Sequence, residues 1–341
     1  MRIKINGNQY LFFNSLKISL SLDSIASTFS FVARFNPENE NHKKLFKPLS
    51  YQKVEIFNDD DVLIFTGTII NHSFNSDSNP NLVNVSGYSL AGILEDCTTP
   101  VKNYPLESTN RSLKDISERL CGLFGIKVVI DSSVGNDANR IYKKSVASPT
   151  DTIKSYLNKL TSQRNVILSH DNKGRVVLFK PNAEKAPKYS FNKSNGLQMS
   201  LNVDGQGLHS LISVVRQPSI DNAGVSTQDS IQNPLIPIFR PTTKVLSSGE
   251  DTDTKNAADN ELASELKAIS VKVSLSKLLD DIVPGDIIEI ENSEIYIYSK
   301  VKFIVSSVDF DIDVSKQTTN LTLVLPETYT SKVPKKIFDL W

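Results

Sequence analysis

Val85-Ser86-Gly87-Tyr88-Ser89-Leu90-Ala91-Gly92-Ile93-Leu94-Glu95-Asp96-Cys97 decides the fold, because a run of alternating strands ends there and the first helical part begins. Upstream, Leu16, Ile18, Leu20 and Leu22 alternate with Lys17, Ser19 and Ser21, the period-2 signature of a strand buried on one side. Phe29, Phe31, Ala33 and Phe35 repeat it; residues 54–57 and 62–65 follow it less strictly. Turn chemistry separates these runs at Asn6-Gly7, Asn36-Pro37, Asn58-Asp59-Asp60-Asp61 and Asp77-Ser78-Asn79-Pro80. Short strands joined in this way predict a small barrel or sandwich over 1–96. The acids at 59–61 lie between two apolar strands and read as a solvated hairpin tip rather than a metal site.

Downstream the apolar spacing changes to three and four. Leu113, Ile116, Leu120 and Phe124 follow Ser112, with Asp115 placed for a reciprocal cap, and the helix ends near Gly122 or Gly125. A β-run follows at 126–131. Ser148-Pro149-Thr150-Asp151 predicts a second helix start, with Ile153, Leu157 and Leu160 as its apolar stripe. Two more runs, 166–169 and 175–179, are joined by the turn Asp171-Asn172-Lys173-Gly174. Two helix-then-strand units predict a small α+β domain.

Alternation returns at Leu197, Met199, Leu201 and Val203. Residues 219–249 are rich in Ser, Asn, Gln, Thr and Pro, and Pro234, Pro237 and Pro241 prevent a regular helix or central strand. They read as an extended connection over the surface or at a sheet edge. Ala258, Leu262, Leu266 and Ile269 mark a third helix, with Glu261 and Glu265 on a different, charged face. Pro284-Gly285-Asp286 turns into the strand 287–290, and 303–305 and 321–325 supply further strands. The tail, 331–341, ends in an apolar cluster of Ile337, Phe338, Leu340 and Trp341 that is expected to dock on its own core.

The chain of 341 residues carries 38 basic and 38 acidic side chains, with 39% hydrophobic content, so it is a folded protein without the basic surplus of a nucleic-acid binder. Its length suggests two to four domains. The start, Met1-Arg2-Ile3-Lys4-Ile5, lacks a signal-peptide core, and no stretch approaches the roughly 18 apolar residues of a membrane span. Synthesis and folding in the cytoplasm are expected. Cys97 and Cys121 form no Cys-x-x-Cys pair and read as small buried hydrophobes, with no support for a disulfide.

Catalytic motifs are missing. His42, His72, His170 and His209 are scattered, without metal-ligand spacing. Gly205-Gln206-Gly207 is a fragment of a dinucleotide fingerprint with no clear helix behind it. Asp251-Thr252-Asp253 begins like a calcium loop, but Asn256 stands where the glycine belongs and Leu262 where the glutamate belongs. Paired carboxylates for hydrolysis are visible only as Glu95-Asp96 and Asp280-Asp281, beside turns where solvated acids are ordinary. No catalytic, cofactor-binding or metal residue is assigned, and no cofactor is expected. What remains is a protein of shape and contact.

Several stretches, taken in order, resemble the baseplate hub family of contractile phage tails, which includes the Mu-like tail hub, the T-even hub and the N-terminal part of the type VI secretion spike protein. Leu63-Ile64-Phe65-Thr66-Gly67-Thr68-Ile69 is similar to the family's hairpin, and Ser86-Gly87-Tyr88-Ser89 through Leu94-Glu95-Asp96-Cys97 to the Mu-like hub turn of Gly-aromatic-or-Arg-Ser followed by Leu-x-Asp-Cys. Ser112-Leu113 to Phe124-Gly125-Ile126, Arg240-Pro241, Pro284-Gly285-Asp286 and Thr319-Asn320-Leu321-Thr322-Leu323 continue the likeness over about 1–330. The strand Val271-Lys272-Val273-Ser274-Leu275 departs from the Trp-Gly pattern of Mu-like hubs, which puts the subgroup in question.

The resemblance implies an α+β, mainly β chain with two small tube-type barrels. The first is 1–96; a small α+β domain follows at 97–184. The second barrel is discontinuous, 185–220 and 290–330, around an insertion at 221–289 with arm, helix and β-segment. It also implies a homotrimeric structural ring joining the six-fold tail tube to the three-fold puncturing spike. Its neighbours are then the tube or a tube-initiator protein, the central spike and the baseplate wedge proteins. DNA is only passing cargo, no membrane is bound, and the location is the virion's tail baseplate. The alternative is a tail-associated cell-wall hydrolase or wall-binding module, for which Glu95 and Asp281 are the carboxylates to test. A secretion-system spike is a third reading, weakened because the chain has no C-terminal repetitive β-helix.

Overall fold

The computed structural model describes residues 1–10, 12–76, 81–216, 228–246, 254–335 and 337–338. The turn at 77–80, the acids at 251–253, both flanks of the Pro-rich arm, and Leu340 and Trp341 lie outside the described residues.

The first 89 residues form β1 (Arg2–Ile5), β2 (Asn8–Tyr10), β3 (Phe13–Ser21), β4 (Thr28–Arg34), α1 (Glu40–Leu45), β5 (Lys53–Phe57), β6 (Leu63–Asn75) and β7 (Leu82–Ser89). The alternation behaves as read: Leu16 and Ile18 of β3 and Phe29, Phe31 and Ala33 of β4 are buried, while their neighbours face outward. Asn6 and Gly7, at φ 48° and 80°, make the β1–β2 turn. The acidic tip is solvated, with Asp59 2.6 Å from the terminal amine and Asp61 bound to Arg2. Gly87 has a steric role, since a Cβ there would lie 1.9 Å from the Thr68 carbonyl oxygen on β6.

The middle of the chain forms α2 (Ile93–Asp96), β8 (Glu107–Ser112), α3 (Leu113–Gly122), β9 (Val128–Ile130), α4 (Gly135–Asn139), β10 (Ile141–Val146), α5 (Ile153–Ser162), β11 (Ile167–His170) and β12 (Val176–Phe179). Ser112 and Asp115 close the expected capping box on α3, and Gly125 turns the chain out at φ 69°. The second helix starts later than its sequence suggests. Thr152 is the cap, receiving the Ser155 N–H, while Ser148–Asp151 makes a separate turn held by the Asp151 carboxylate. Leu94, Leu113, Ile116, Leu120, Leu157 and Leu178 belong to a core distinct from that of the large sheet.

The remainder forms β13 (Tyr189–Asn192), β14 (Gln198–Val203), β15 (Leu211–Arg216), β16 (Gln228–Gln232), β17 (Pro241–Leu246), α6 (Thr254–Glu265), β18 (Ile269–Leu275), β19 (Ile287–Asn292), β20 (Ile297–Asp313), β21 (Gln317–Val324) and α7 (Glu327–Thr330). The described part of the Pro-rich arm pairs at edges: β16 and β17 flank β15 in a three-stranded sheet. Glu265 is not a solvent-facing acid, because it accepts the His209 backbone N–H at 2.9 Å and bonds its ring Nδ1 at 2.7 Å. Ile337 and Phe338 pack on the main core, the docking expected of the tail.

The mainly β character stands, but its detail differs from two barrels. Thirteen strands join one sheet in the order β14-β18-β21-β20-β3-β4-β7-β6-β5-β1-β2, with β19 also on β20 and β13 on β19. Among the described residues this path does not close. β18 and the first half of β19, which the sequence reading assigned to the 221–289 insertion, are members of the large sheet. Short-range pattern could not show it for β18, whose partners β14 and β21 lie tens of residues away.

The sheet repeats itself. β3-β4-β7-β6 and β14-β18-β21-β20 are each four antiparallel strands ending on a long one. Both long strands carry a bulge just past the point where one partner ends. β6 shifts register against β7 between Ile69 and Asn71, just after its β5 pairing ends at Thr68. β20 shifts against β21 between Val305 and Ser307, where β19, last paired at Ile304, gives way to β3, first paired at Ser307. One buried cluster runs from Ile3 and Phe31 through Phe65 to Phe303 and Leu323, so the halves share a core.

Candidate interaction surface

The inward side of each strand is aliphatic or aromatic, which leaves a polar outer face across the eight strands from β14 to β6. The register aligns Gln198, Ser274, Asn320, Asp309, Ser19 and Thr28 in one cross-strand row. The next row brings Thr318, Asp311, Lys17, Ser30, Ser86 and Asn71 together. Short hydroxyl and amide side chains dominate, so the face is smooth and hydrated. A shallow concavity of about 740 Å³ lies over its centre.

These side chains are tied to one another across strands. Ser274 donates to Asn320 at 2.7 Å, Asn320 donates to Asp311 at 3.3 Å, and Lys17 lies 3.1 Å from Asp311. Ser19 donates to Asp309. Tyr88 donates to Asp96 at 2.7 Å; desolvation, then this carboxylate, pushes the phenol pKa upward. Lys17 and Lys272 share the surface with Asp309, Asp311 and Asp313, so it has no basic stripe.

Both lateral edges of this eight-strand stretch are open. Among the described residues β14 pairs only with β18, and its inner residues Met199 and Leu201 stay half-buried while Val203 is exposed. β6 loses β5 after Thr68, whose neighbour Ile69 donates its N–H to the Gln52 carbonyl. From Ile70 to Asn75 no strand pairs the outer side of β6 among the described residues. His72 on this segment has a buried, unpartnered Nε2, and burial lowers its pKa.

The carboxylates considered for hydrolysis are not brought together. Glu95 on α2 is held by Lys154 of α5 at 2.6 Å. Asp281, in the loop before β19, receives the Tyr189 hydroxyl at 2.9 Å and lies 3.7 Å from Lys188. Gly205–Gly207 is a short 3-10 turn capped by Asp204. Cys97 and Cys121 are free thiols, and burial pushes Cys121 up to about 12. Among the described residues no three His, Cys, Asp or Glu side chains gather as for a metal. The sequence reading missed the open edges and the Asp309–Asp311 rows. The period-2 pattern marked the face of each strand but carried nothing about which strands lie side by side.

Comparison with known proteins places this geometry. Residues 91–180 match the family described as baseplate hub protein gp44-like, second domain. No curated protein matches the chain. Among solved structures, the 43 kDa tail protein of prophage MuSo2 from Shewanella oneidensis superposes with a TM-score of 0.79 at 17% identity, covering 96% of this chain and 98% of that one. The tail protein from Neisseria meningitidis MC58 gives 0.79 at 18% identity, covering 97% and 98%. An Escherichia coli type VI secretion component, reported as structurally similar to the T4 tail proteins gp27 and gp5, gives 0.57 at 11% identity, covering 99% and 80%. The fold is shared from end to end.

Proposed function

We propose that this chain, whose residues 91–180 belong to the second-domain family of gp44-like baseplate hubs, is a structural baseplate hub of a contractile phage tail or phage-tail-like particle. Three copies form a ring that joins the six-fold tube to the three-fold spike. The observation that carries the reading is the unequal fate of two equivalent edges. Within the chain, the segment of β20 beyond its bulge is covered by β3, the first strand of the other half. Among the described residues the matching segment of β6, beyond its own bulge, is uncovered, and so is the outer edge of β14, the first strand of the second half. The internal β20–β3 contact is therefore a template for a β6–β14 contact between copies. Eight strands is an even number, so successive copies joined head to tail keep the antiparallel alternation throughout. Edges that are a hazard on a monomer become seams.

The polar face then lines the ring's channel. Its hydroxyls, amides and carboxylates offer no array of cations to hold phosphates, which suits DNA that only passes through. The tube or a tube-initiator protein, the spike and the wedge proteins are its neighbours, and the chain has no catalytic role. The ring assembles in the host cytoplasm and resides in the virion's baseplate. We take 1–96, 97–184 and 331–341 as units, with the second half of the sheet formed by 185–204 and 269–325 around 205–268.

Light scattering over a dilution series, followed by imaging, tests this. A mass of three chains and a ring with a continuous inner sheet are expected. A monomer that stays single at high concentration, with and without tube protein, refutes it.

A further inference from the structure

Two exposed apolar sites flank the open edges, and both are held rigidly. The first is the loop between β16 and β17. Asn233, 2% exposed, donates its N–H to Ser210 and bonds the Leu235 and Ile236 N–H groups, while Leu235 and Ile236 pack on the main core. Arg240 closes the loop: its N–H goes to Ser210 Oγ at 2.8 Å and its guanidinium to the Leu208 and Gln206 carbonyls at 3.2 and 3.3 Å. Pro234, Pro237 and Pro241 stiffen it further. Held outward between these anchors are Ile238 and Phe239, 61% and 81% exposed. Gln206 stands three residues beyond the end of β14, so this knob lies beside the β14 edge.

The second site precedes β5. Gln52 is buried and fixed by its bond to the Lys44 carbonyl at 2.8 Å, and it is the residue that receives the Ile69 N–H where the open edge of β6 begins. Just before it, Leu49 and Tyr51 are 76% and 59% exposed and adopt φ of 58° and 48°. Left-handed backbone at such residues persists only where the surrounding structure fixes it. The register also places both sites at one end of the sheet: Val203 pairs Ile269, and Ser21, Tyr88 and Ile69 mark the same end across the other strands.

We propose that Ile238 and Phe239 of one copy pack against Leu49 and Tyr51 of the next, locking the β14–β6 seam at that end. The occupant is a second copy of this chain, since each site adjoins one of the two edges that the ring joins; the inference rests on the ring proposal. Rigid aromatic contacts beside a seam bind well because little freedom is left to lose.

The test compares the full-length protein with F239D, Y51D, the charge pair F239D/Y51K, and V314D. Val314 is 90% exposed at the β20–β21 tip, the opposite end of the sheet. Light scattering on dilution is expected to show F239D and Y51D raising the trimer dissociation midpoint at least about tenfold. V314D leaves it unchanged, F239D/Y51K recovers much of the loss, and circular dichroism melting stays near wild type throughout. Trimers whose midpoint ignores F239D and Y51D overturn the contact and leave the ring intact. Wild-type protein that is monomeric at every concentration overturns both.

Discussion

The two halves of the large sheet reach the same four-strand design by different routes. The first is contiguous, with β3, β4, β6 and β7 drawn from residues 13–89. The second draws β14, β18, β20 and β21 from 198–324, with a three-stranded sheet and α6 inserted between β14 and β18. Both place a bulge in their longest strand, of 13 and 17 residues, just past the end of one edge partner, β5 in the first half and β19 in the second. The halves differ at the segment beyond the bulge, which is covered in β20 and open in β6. Local chemistry sets the bend; chain connectivity decides which edge is left for a neighbour.

If the halves are equivalent, their cores fail equally. Phe65 on β6 and Phe303 on β20 are both fully buried, so F65A and F303A are each expected to cost about 3–5 kcal/mol in denaturant unfolding. A cost below 1 kcal/mol for one alone breaks the comparison. The next effect belongs to the first half. G87A drives a methyl into the Thr68 carbonyl and the Phe29 ring, at about 1–3 kcal/mol or more, read as a lower urea midpoint.

Acid separates the regions by a smaller margin. Burial lowers the pKa of His72, on the first half, and of His170, on β11 of the middle domain. The unfolded chain therefore takes up protons first as pH falls through about 6.5. Stability is expected to decline from there downward until the folded-state values are passed. Melting curves between pH 7.5 and about pH 5 should show this, with part of the slope removed by H72Q; an unchanged slope sinks the role of His72. The smallest effect is at the internal seam. Lys17 and Asp311 face each other across β3 and β20, both partly exposed, so K17A should cost less than about 1 kcal/mol. A larger loss in urea unfolding means that the seam depends on charge as well as backbone pairing.

What the sequence disclosed follows the range of the forces involved. The Leu16-Ile18-Leu20 alternation, the Ser112–Asp115 capping box and the Asn6-Gly7 turn are read over a few residues, and each stands in the structure. The membership of β18 in the large sheet was not legible, because it depends on pairings with β14 and β21 that no local period encodes. The start of α5 was placed early because Ser148-Pro149-Thr150-Asp151 satisfies helix-start chemistry yet is used for a turn. The interaction surface was legible one strand at a time, as serines and threonines opposite apolar residues. Its open edges were not, since an edge is defined by what fails to pair with it.

The two edges are unlike: β14 is short and begins one half, and the open part of β6 is the far end of the other. On the proposed seam the contact is therefore heterologous, the β14 edge of one copy meeting the open β6 edge of the next. Every partial assembly keeps one reactive edge at each end, and further copies can only add in one sense. Such growth ends in a closed circle or continues as a fibre. On the proposed seam, the deciding quantity is the turn per copy, which the register shifts at Ile69–Asn71 and Val305–Ser307 help to set. Removing either shift makes filaments the failure to look for.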